Sequence, residues 1–234
     1  MNPFLRGYLL LFERREPPAY SAATGLGLLL VFICLEYVVG PRAHILHLRG
    51  VTPPPTWARV IAMSALAILL AAAVRATPAM IGLPRWSEWT PSETLYLAQA
   101  VMIAGFIFIA LNLRPLQEQT LQGLQVVAIA VATEIIWGFY QELVYRGILQ
   151  SELVRRFGVI AGVVVANIAF TFGPLHFYEF SGSSSPETLA IFFAATFATG
   201  LIFGYIVYRT RNVVLVGILH GIGDAIANVP HLLH

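Results

Sequence analysis

Seven long apolar segments constrain this chain more than any other feature, because about 20 consecutive apolar residues are the length that crosses a bilayer. Backbone groups in a bilayer must be paired within their own segment, so each span is predicted to be a helix. The composition agrees: 58% of the residues are hydrophobic and 11% are charged, against about a quarter charged in a soluble domain. The spans are predicted at Ala19–Val39, Trp57–Val74, Thr94–Leu113, Leu121 to beyond Tyr145, Val159–His176, Leu189–Tyr208 and Val213–Val229.

The predicted fold is therefore all-α, a polytopic transmembrane bundle with about seven spans and an N-terminal interfacial helix. The apolar stretch Pro3–Phe12 is too short to span and is predicted to lie in the interface, ending at charged residues and two prolines. The fourth span is predicted to continue as an amphipathic extension to Phe157. Residues 1–118 would hold the interfacial helix and three spans, and residues 119–234 four spans, in one compact membrane domain.

The distribution of arginines predicts the orientation of the bundle. With a cytoplasmic N-terminus, ten of the fourteen arginines fall in inner segments, and four fall outside: Arg42, Arg49, Arg59 and Arg114. Positive residues concentrate in cytoplasmic segments, so the N-terminus is predicted to be cytoplasmic. All basic residues are arginine, which is typical of a GC-rich genome, so a bacterial or archaeal inner membrane is expected. The arginines form no basic stripe, so no nucleic-acid partner is expected.

Cysteine and histidine usage gives no strong metal or disulfide signal. The single cysteine, Cys34, rules out an intrachain disulfide and a cysteine-based metal site. His44 and His47 are three residues apart, but no third ligand is near in sequence, so an interfacial role is favoured. We expect no cofactor.

A second feature is a set of polar residues at membrane depth in the C-terminal half: Gln141, Glu142, Arg146, His176, His220 and Asp224. Such residues are costly in hydrocarbon and mark functional sites by default. Gln141 lies 17 residues before Gly158 and His176 lies 18 after it. At about 1.5 Å per residue, two antiparallel helices return His176 to the depth of Gln141.

The seventh span carries His220 and Asp224 at i,i+4, on one helix face. His220 lies nine residues after Arg211, so the same rise places it about 10 Å shallower, unless tilt or a buried helix start closes the gap. A lone histidine on an apolar face is usually a satisfied core residue. Two histidines beside Gln, Glu and Asp on three helices instead favour activation of a water and stabilisation of an oxyanion. A metal held by His176, His220 and a carboxylate stays open as the rival.

Three short motifs resemble one known family. QELVYR at Gln141–Arg146 resembles the EExxxR motif of the CPBP family, which includes the type II CAAX prenyl endopeptidases. Phe172–His176 resembles its FxxxH motif, and His220–Asp224 resembles its HxxxN/D motif. The resemblance covers about residues 120–230, with the motifs in the family's order on the fourth, fifth and seventh spans.

The resemblance implies a glutamate-type intramembrane protease. In that mechanism the first Glu of EExxxR and the FxxxH histidine activate the attacking water, and the HxxxN/D pair stabilises the oxyanion. The catalytic positions implied for this chain are Gln141, His176, His220 and Asp224, and the supporting ones are Glu142, Arg146 and Phe172. The implied substrate is a membrane-embedded protein or peptide, cleaved near the C-terminus of a lipid-modified or membrane-anchored chain.

Position 141 departs from the family pattern, because a neutral amide cannot take a proton from water. The interpretation placed first is an inactivated Glu-to-Gln variant of the protease. The second is a natural non-catalytic member, acting as a binding, immunity or scaffold protein. In the third interpretation another carboxylate acts as the base. Glu142 lies about 100° round the helix from Gln141, and Glu134 lies on the same face as Gln141 but about 10 Å away along the helix.

Overall fold

The computed structural model describes residues 2–40, 56–174, 176 and 185–233. The segment with His44 and His47 lies outside these residues, as does most of a loop that serines and glycine predict at Glu179–Pro186. The described part of the chain contains helices and no strand. The prediction of an all-α fold is confirmed.

The helices follow the apolar segments of the sequence. They are α1 (Pro3–Tyr8), α2 (Ala22–Ile33), α3 (Thr56–Ala73), α4 (Pro91–Gln117), α5 (Leu121–Glu142), α6 (Ser151–Phe157), α7 (Val159–Phe172), α8 (Pro186–Thr210) and α9 (Val213–Asn228). A π-helical segment at Cys34–Val39 continues α2, and another at Leu143–Gln150 joins α5 to α6. Short 3-10 turns lie at Pro78–Ile81, Trp86–Glu88 and Val229–Leu232.

The described helices have the lengths and surfaces of a membrane bundle. Five helical segments are long and apolar enough to cross a bilayer: Ala22–Val39, α3, α4, Leu121–Phe157 and α8. The helices α7 and α9 are apolar but shorter, with 14 and 16 residues. Large apolar side chains cover the exterior; Ile160 is 82% exposed and Phe106 is 73% exposed. An apolar exterior of this kind fits lipid, and the predicted polytopic architecture is confirmed.

The N-terminal segment differs in detail from the prediction. The helix predicted over Pro3–Phe12 ends at Tyr8, because Leu10 takes a left-handed conformation with φ of 54°. Beyond it the Phe12 side chain is fully buried, and its carbonyl accepts a hydrogen bond of 2.7 Å from Arg209 Nη2. The segment after α1 is therefore packed against the C-terminal end of α8.

The long helix Leu121–Phe157 crosses the centre of the bundle. Every residue from 140 to 152 is buried, which includes the whole π-helical segment. The amphipathic extension predicted after Tyr145 is therefore buried in its first half, where neighbouring helices surround the chain. A π-helical turn places successive side chains differently from an α-helix and is frequent at functional sites.

Glycines bring α5 and α9 into backbone contact. A Cβ on Gly217 would lie 2.7 Å from the Cα of Phe139, and one on Gly138 would lie 2.8 Å from the Cα of Gly221. Small residues at such positions let two membrane helices approach closely. This approach carries the side chains of α9 to the polar part of α5.

The start of α9 is buried, which is one of the conditions expected to close the gap in depth between His220 and Gln141. Asn212 and Val213 are fully buried, and Val213 N donates to the carbonyl of Gly82 at 2.8 Å. Counting residues from Arg211 assumed that the helix begins at the membrane surface. Because it begins inside the protein, His220 reaches the same level as Glu142.

Candidate active site

The polar residues of α5 and α9 meet at the carboxylate of Glu142, which is fully buried. His220 Nδ1 lies 2.8 Å from Glu142 Oε1 and donates to it. Glu142 Oε2 lies 3.3 Å from Arg146 Nε, within ion-pair distance, although the two groups are not aligned as a hydrogen bond. Both oxygens of Glu142 therefore face a partner inside the protein.

The polar row continues along α9. His220 Nε2 lies 3.6 Å from Asp224 Oδ2, as expected for residues one helical turn apart. One turn further on, Asn228 Nδ2 donates to Glu134 Oε1 at 3.3 Å. The side chains of His220 and Asp224 are 14% and 27% exposed. These two side chains can therefore be reached from outside the core, whereas Glu142 cannot.

Arg146 connects the long helix Leu121–Phe157 to α7 and α8. Its fully buried guanidinium donates through Nη2 to Asn167 Oδ1 at 3.3 Å and to the Gly200 carbonyl at 3.2 Å. A Cβ at Gly200 would lie 2.7 Å from Nη2, so glycine leaves the room that the guanidinium needs. A buried cation is stable only when paired and hydrogen-bonded. Glu142 supplies the pairing and Nη2 makes the two hydrogen bonds, whereas Nε and Nη1 have no hydrogen-bond partner among the described residues.

His176 is oriented by the bend at Gly173, directly after α7. Pro174 has no N–H, so the Phe170 carbonyl four residues earlier lacks its usual helical partner. His176 Nδ1 takes that place and donates to the Phe170 carbonyl at 2.7 Å. With the proton on Nδ1, the lone pair of a neutral imidazole is on Nε2, the form that can accept a proton from water.

Phe170 links the two histidines. Its ring centroid lies 4.4 Å from that of His176, 5.7 Å from that of His220 and 3.8 Å from Arg146 Cζ. Phe172, the aromatic of the FxxxH motif, is 55% exposed and stacks on Phe193 at 5.3 Å. Phe170, which the motif does not single out, therefore contacts both histidines, and Phe203 also lies 5.9 Å from the His220 ring.

Gln141 is 2% exposed, next to Glu142 on the long helix. Its Oε1 is buried and accepts no hydrogen bond within the described part of the chain. Such an oxygen costs about 1–3 kcal/mol of stability. Position 141 is thus a buried position next to Glu142 in the long helix, and its side chain carries an acceptor oxygen.

Sequence reasoning missed Asn167, Gly200 and a second glycine of α8. Gln150 Nε2 donates to the carbonyl of Gly204 at 2.9 Å, four residues after Gly200. A glycine pair at this spacing marks close packing in membrane helices, and this signal could have located the face of α8 that meets the site.

No metal-binding group of three or more His, Cys, Asp or Glu side chains occurs among the described residues. Glu142 faces Arg146 and His220 on its two oxygens. It is therefore not directed, together with both histidines, at one common point.

A comparison with protein families gives one match. Residues 123–226 match the family described as type II CAAX prenyl endopeptidase Rce1-like. This part of the chain is similar to that family. The matched residues run from the start of α5 to the end of α9 and contain the whole polar cluster. Searches of curated proteins and of solved structures each gave no match.

Proposed function

We propose that the chain has the site of an intramembrane endopeptidase of the glutamate type, with glutamine in the position of the water-activating carboxylate. The observation that carries the proposal is the buried convergence of Glu142, His220 and His176 within the residues that match the Rce1-like family. The substrate would be a membrane-anchored or lipid-modified protein, cut near its C-terminus. The chain as written would bind this substrate and hydrolyse it poorly.

His176 and position 141 would act together on the attacking water. His176 directs Nδ1 to the Phe170 carbonyl, so Nε2 would receive or hold the proton of that water. A carboxylate at position 141 would be the second acceptor. Gln141 can hold a water by hydrogen bonding but cannot remove its proton.

Glu142 and Arg146 would support the site instead of performing the chemistry. Both carboxylate oxygens face partners, and the side chain is fully buried. A base in that state would have to give up a buried ion pair before accepting a proton, which costs several kcal/mol. His220, which is partly accessible, would donate to the developing oxyanion from the α9 side. Asp224, whose ionised carboxylate only accepts hydrogen bonds, would stabilise the protonated form of His220 from 3.6 Å away.

The test is turnover by Gln141→Glu. The parent chain, Gln141→Glu and the double variant Gln141→Glu/His176→Ala are reconstituted in liposomes with a peptide that carries a prenylated C-terminal CAAX sequence. A matched peptide with a transmembrane anchor and no prenyl group reports the need for lipid. Cleavage by Gln141→Glu, at least 100-fold above the other two, is expected, since general bases contribute about 10²–10⁴-fold. An inactive Gln141→Glu that still binds both peptides would refute the protease proposal.

A second candidate function is binding without hydrolysis, as a scaffold or immunity protein with the family fold. Gln141 itself favours it, because the amide keeps the shape of glutamate without its basicity. This candidate predicts equal peptide affinity for the parent chain and Gln141→Glu, with no product from either. If Gln141→Glu cleaves the peptide and a chelator abolishes that cleavage, the result would instead support a zinc-dependent protease.

We further propose that the N-terminus faces the cytoplasm. Arginines of the N-terminal segment, of α6 and of the α8–α9 turn lie at one end of the bundle, where Arg15 reaches the Thr210 carbonyl at 2.6 Å and Arg155 lies 5.0 Å from the Tyr20 ring. Arg146 is buried in the core and is therefore not counted with the arginines of the inner segments. Nine arginines remain in those segments, against four in the outer ones. An excess of arginine marks the cytoplasmic end.

A further inference from the structure

A cavity of about 470 Å³ opens at the arginine-rich end of the bundle, away from the Glu142 cluster. It lies between the segment before α2, the end of α6 and the turn from α8 to α9. Four of its lining residues are arginines, Arg14, Arg15, Arg155 and Arg211, and none is acidic. A concave site with this charge attracts an anion.

Arg211 is the arginine of this cavity that has no carboxylate partner among the described residues. Arg14 lies 3.6 Å from Glu16. Arg15 and Arg155 pair with buried glutamates at 2.6 Å. Arg211 instead donates to the Met80 carbonyl at 2.9 Å and to Ser151 Oγ at 3.0 Å, and no described carboxylate pairs with it. Its Nε is buried and has no hydrogen-bond partner in the part of the chain that the structure describes. Burial lowers the pKa of Arg211, which is the expected result when a charged group lacks an opposite charge.

The chain conformation at this residue is also unusual. Arg211 has a φ of 50°, a left-handed conformation that glycine or asparagine more often takes at the end of a helix. Strain at a residue with a long charged side chain is consistent with a functional requirement for that side chain.

The remaining walls fit a phosphate attached to an organic group. Arg14 and Arg155 lie over the rings of Tyr208 and Tyr20, with distances of 5.3 Å and 5.0 Å to the ring centroids. Burial, together with the Glu152 carboxylate, raises the pKa of Tyr20 to about 12, so the phenol adds no negative charge. Pro17, Pro18, Val154 and Val159 complete an apolar part of the wall.

We propose that this cavity binds a phosphate group, and specifically the headgroup phosphodiester of an anionic membrane lipid. Basic pockets between membrane helices at the cytoplasmic end bind such headgroups. Guanidinium groups match phosphate oxygens in geometry and charge. The occupant would connect the N-terminal segment, α6 and the α8–α9 turn. This proposal is independent of the proposed peptidase activity.

The experiment measures the thermal unfolding midpoint of the purified full chain in neutral detergent micelles. Phosphatidylglycerol is titrated in one arm, phosphatidylcholine in the second and soluble glycerol 3-phosphate in the third. Phosphatidylglycerol is expected to raise the midpoint saturably, because a ligand of the folded state stabilises it. Arg211→Gln is expected to weaken the apparent affinity about tenfold, the size of one charge-assisted hydrogen bond.

Arg14→Gln tests the same cavity without touching a buried contact, because the Arg14 side chain is 45% exposed. Arg114→Gln is the matched control: that arginine is 90% exposed and does not line the cavity. Glycerol 3-phosphate acting alone, with the same arginine dependence, would assign the phosphate site to a soluble compound. An equal effect of phosphatidylcholine, or unchanged affinity in both Arg211→Gln and Arg14→Gln, would overturn the proposal.

Discussion

Replacing Gly221 by alanine tests whether the contact between α5 and α9 sets the geometry of the candidate active site. A Cβ at position 221 would lie 2.8 Å from the carbonyl carbon of Glu134 and still closer to the Cα of Ile135. These are backbone atoms of a helix, which cannot rotate away as a side chain can. The whole of α9 must therefore move outward.

The size of the movement follows from ordinary van der Waals separations. Carbon atoms are most stable about 3.5–4.0 Å apart, so α9 has to shift by about 1 Å. The hydrogen bond from His220 to Glu142, now 2.8 Å long, would then exceed the usual limit of about 3.2 Å. Overpacking costs about 1–3 kcal/mol and the lost interhelical hydrogen bond about 1–2 kcal/mol, so we expect a loss of about 2–5 kcal/mol.

Gly223→Ala provides the control on the same helix. Apart from its chain neighbours and the backbone of its own helix, no atom of the described residues lies within 4 Å of a Cβ at Gly223. Alanine is the better helix former by up to about 1 kcal/mol. Unfolding midpoints of the two variants are compared in the same detergent, and cleavage rates are compared in the Gln141→Glu background. A Gly221→Ala protein as stable as Gly223→Ala would refute the view that this glycine contact positions His220.

Two further predictions concern the Phe170 side chain and the orientation of the protein in the membrane. Phe170→Ala should destabilise the protein by about 3–5 kcal/mol, because it empties the space between His176, His220 and Arg146. Phe172→Ala should cost less than about 1 kcal/mol. Equal unfolding midpoints of the two variants would contradict this prediction. A reporter that is active only in the cytoplasm should be active when fused to the N-terminus and inactive when fused after Leu233, and the reverse pattern would contradict the proposed orientation.

Most of the helical architecture could be predicted, because bilayer thickness fixes the length of a span and the loops interrupt the apolar runs. The i,i+4 spacing also identified the Glu142–Arg146 and His220–Asp224 neighbours, since helix geometry brings such residues together wherever the helix lies. The family resemblance is confirmed by the match to residues 123–226. The roles assigned to individual site residues stay predictions.

The parts that could not be predicted depend on contacts between distant segments. Periodicity does not encode the π-helical segment Leu143–Gln150, whose side chains all point into packed surroundings. The Phe170 carbonyl becomes the partner of His176 because Pro174 has no N–H to donate to it, and no spacing rule identifies that contact. The buried start of α9 at Val213 likewise depends on its contact with Gly82, in a segment more than 100 residues earlier.

The charge balance of the cluster indicates what a carboxylate at position 141 would do to stability. Arg146 faces Glu142, and Asp224 is the next carboxylate along the row, so a further negative charge at the 2% exposed position 141 has no described cation of its own. Burying an unpaired charge is costly even after relaxation. Gln141→Glu should therefore unfold at a lower temperature than the parent chain, while Gln141→Met, of similar volume and uncharged, should stay within about 1.5 kcal/mol of it. Gain of cleavage together with loss of stability would identify position 141 as the site of a trade-off between function and stability. If Gln141→Glu were more stable than the parent chain, the histidines would already supply the positive charge that a carboxylate at position 141 needs. The presence of glutamine there could then not be explained by relief of repulsion between carboxylates.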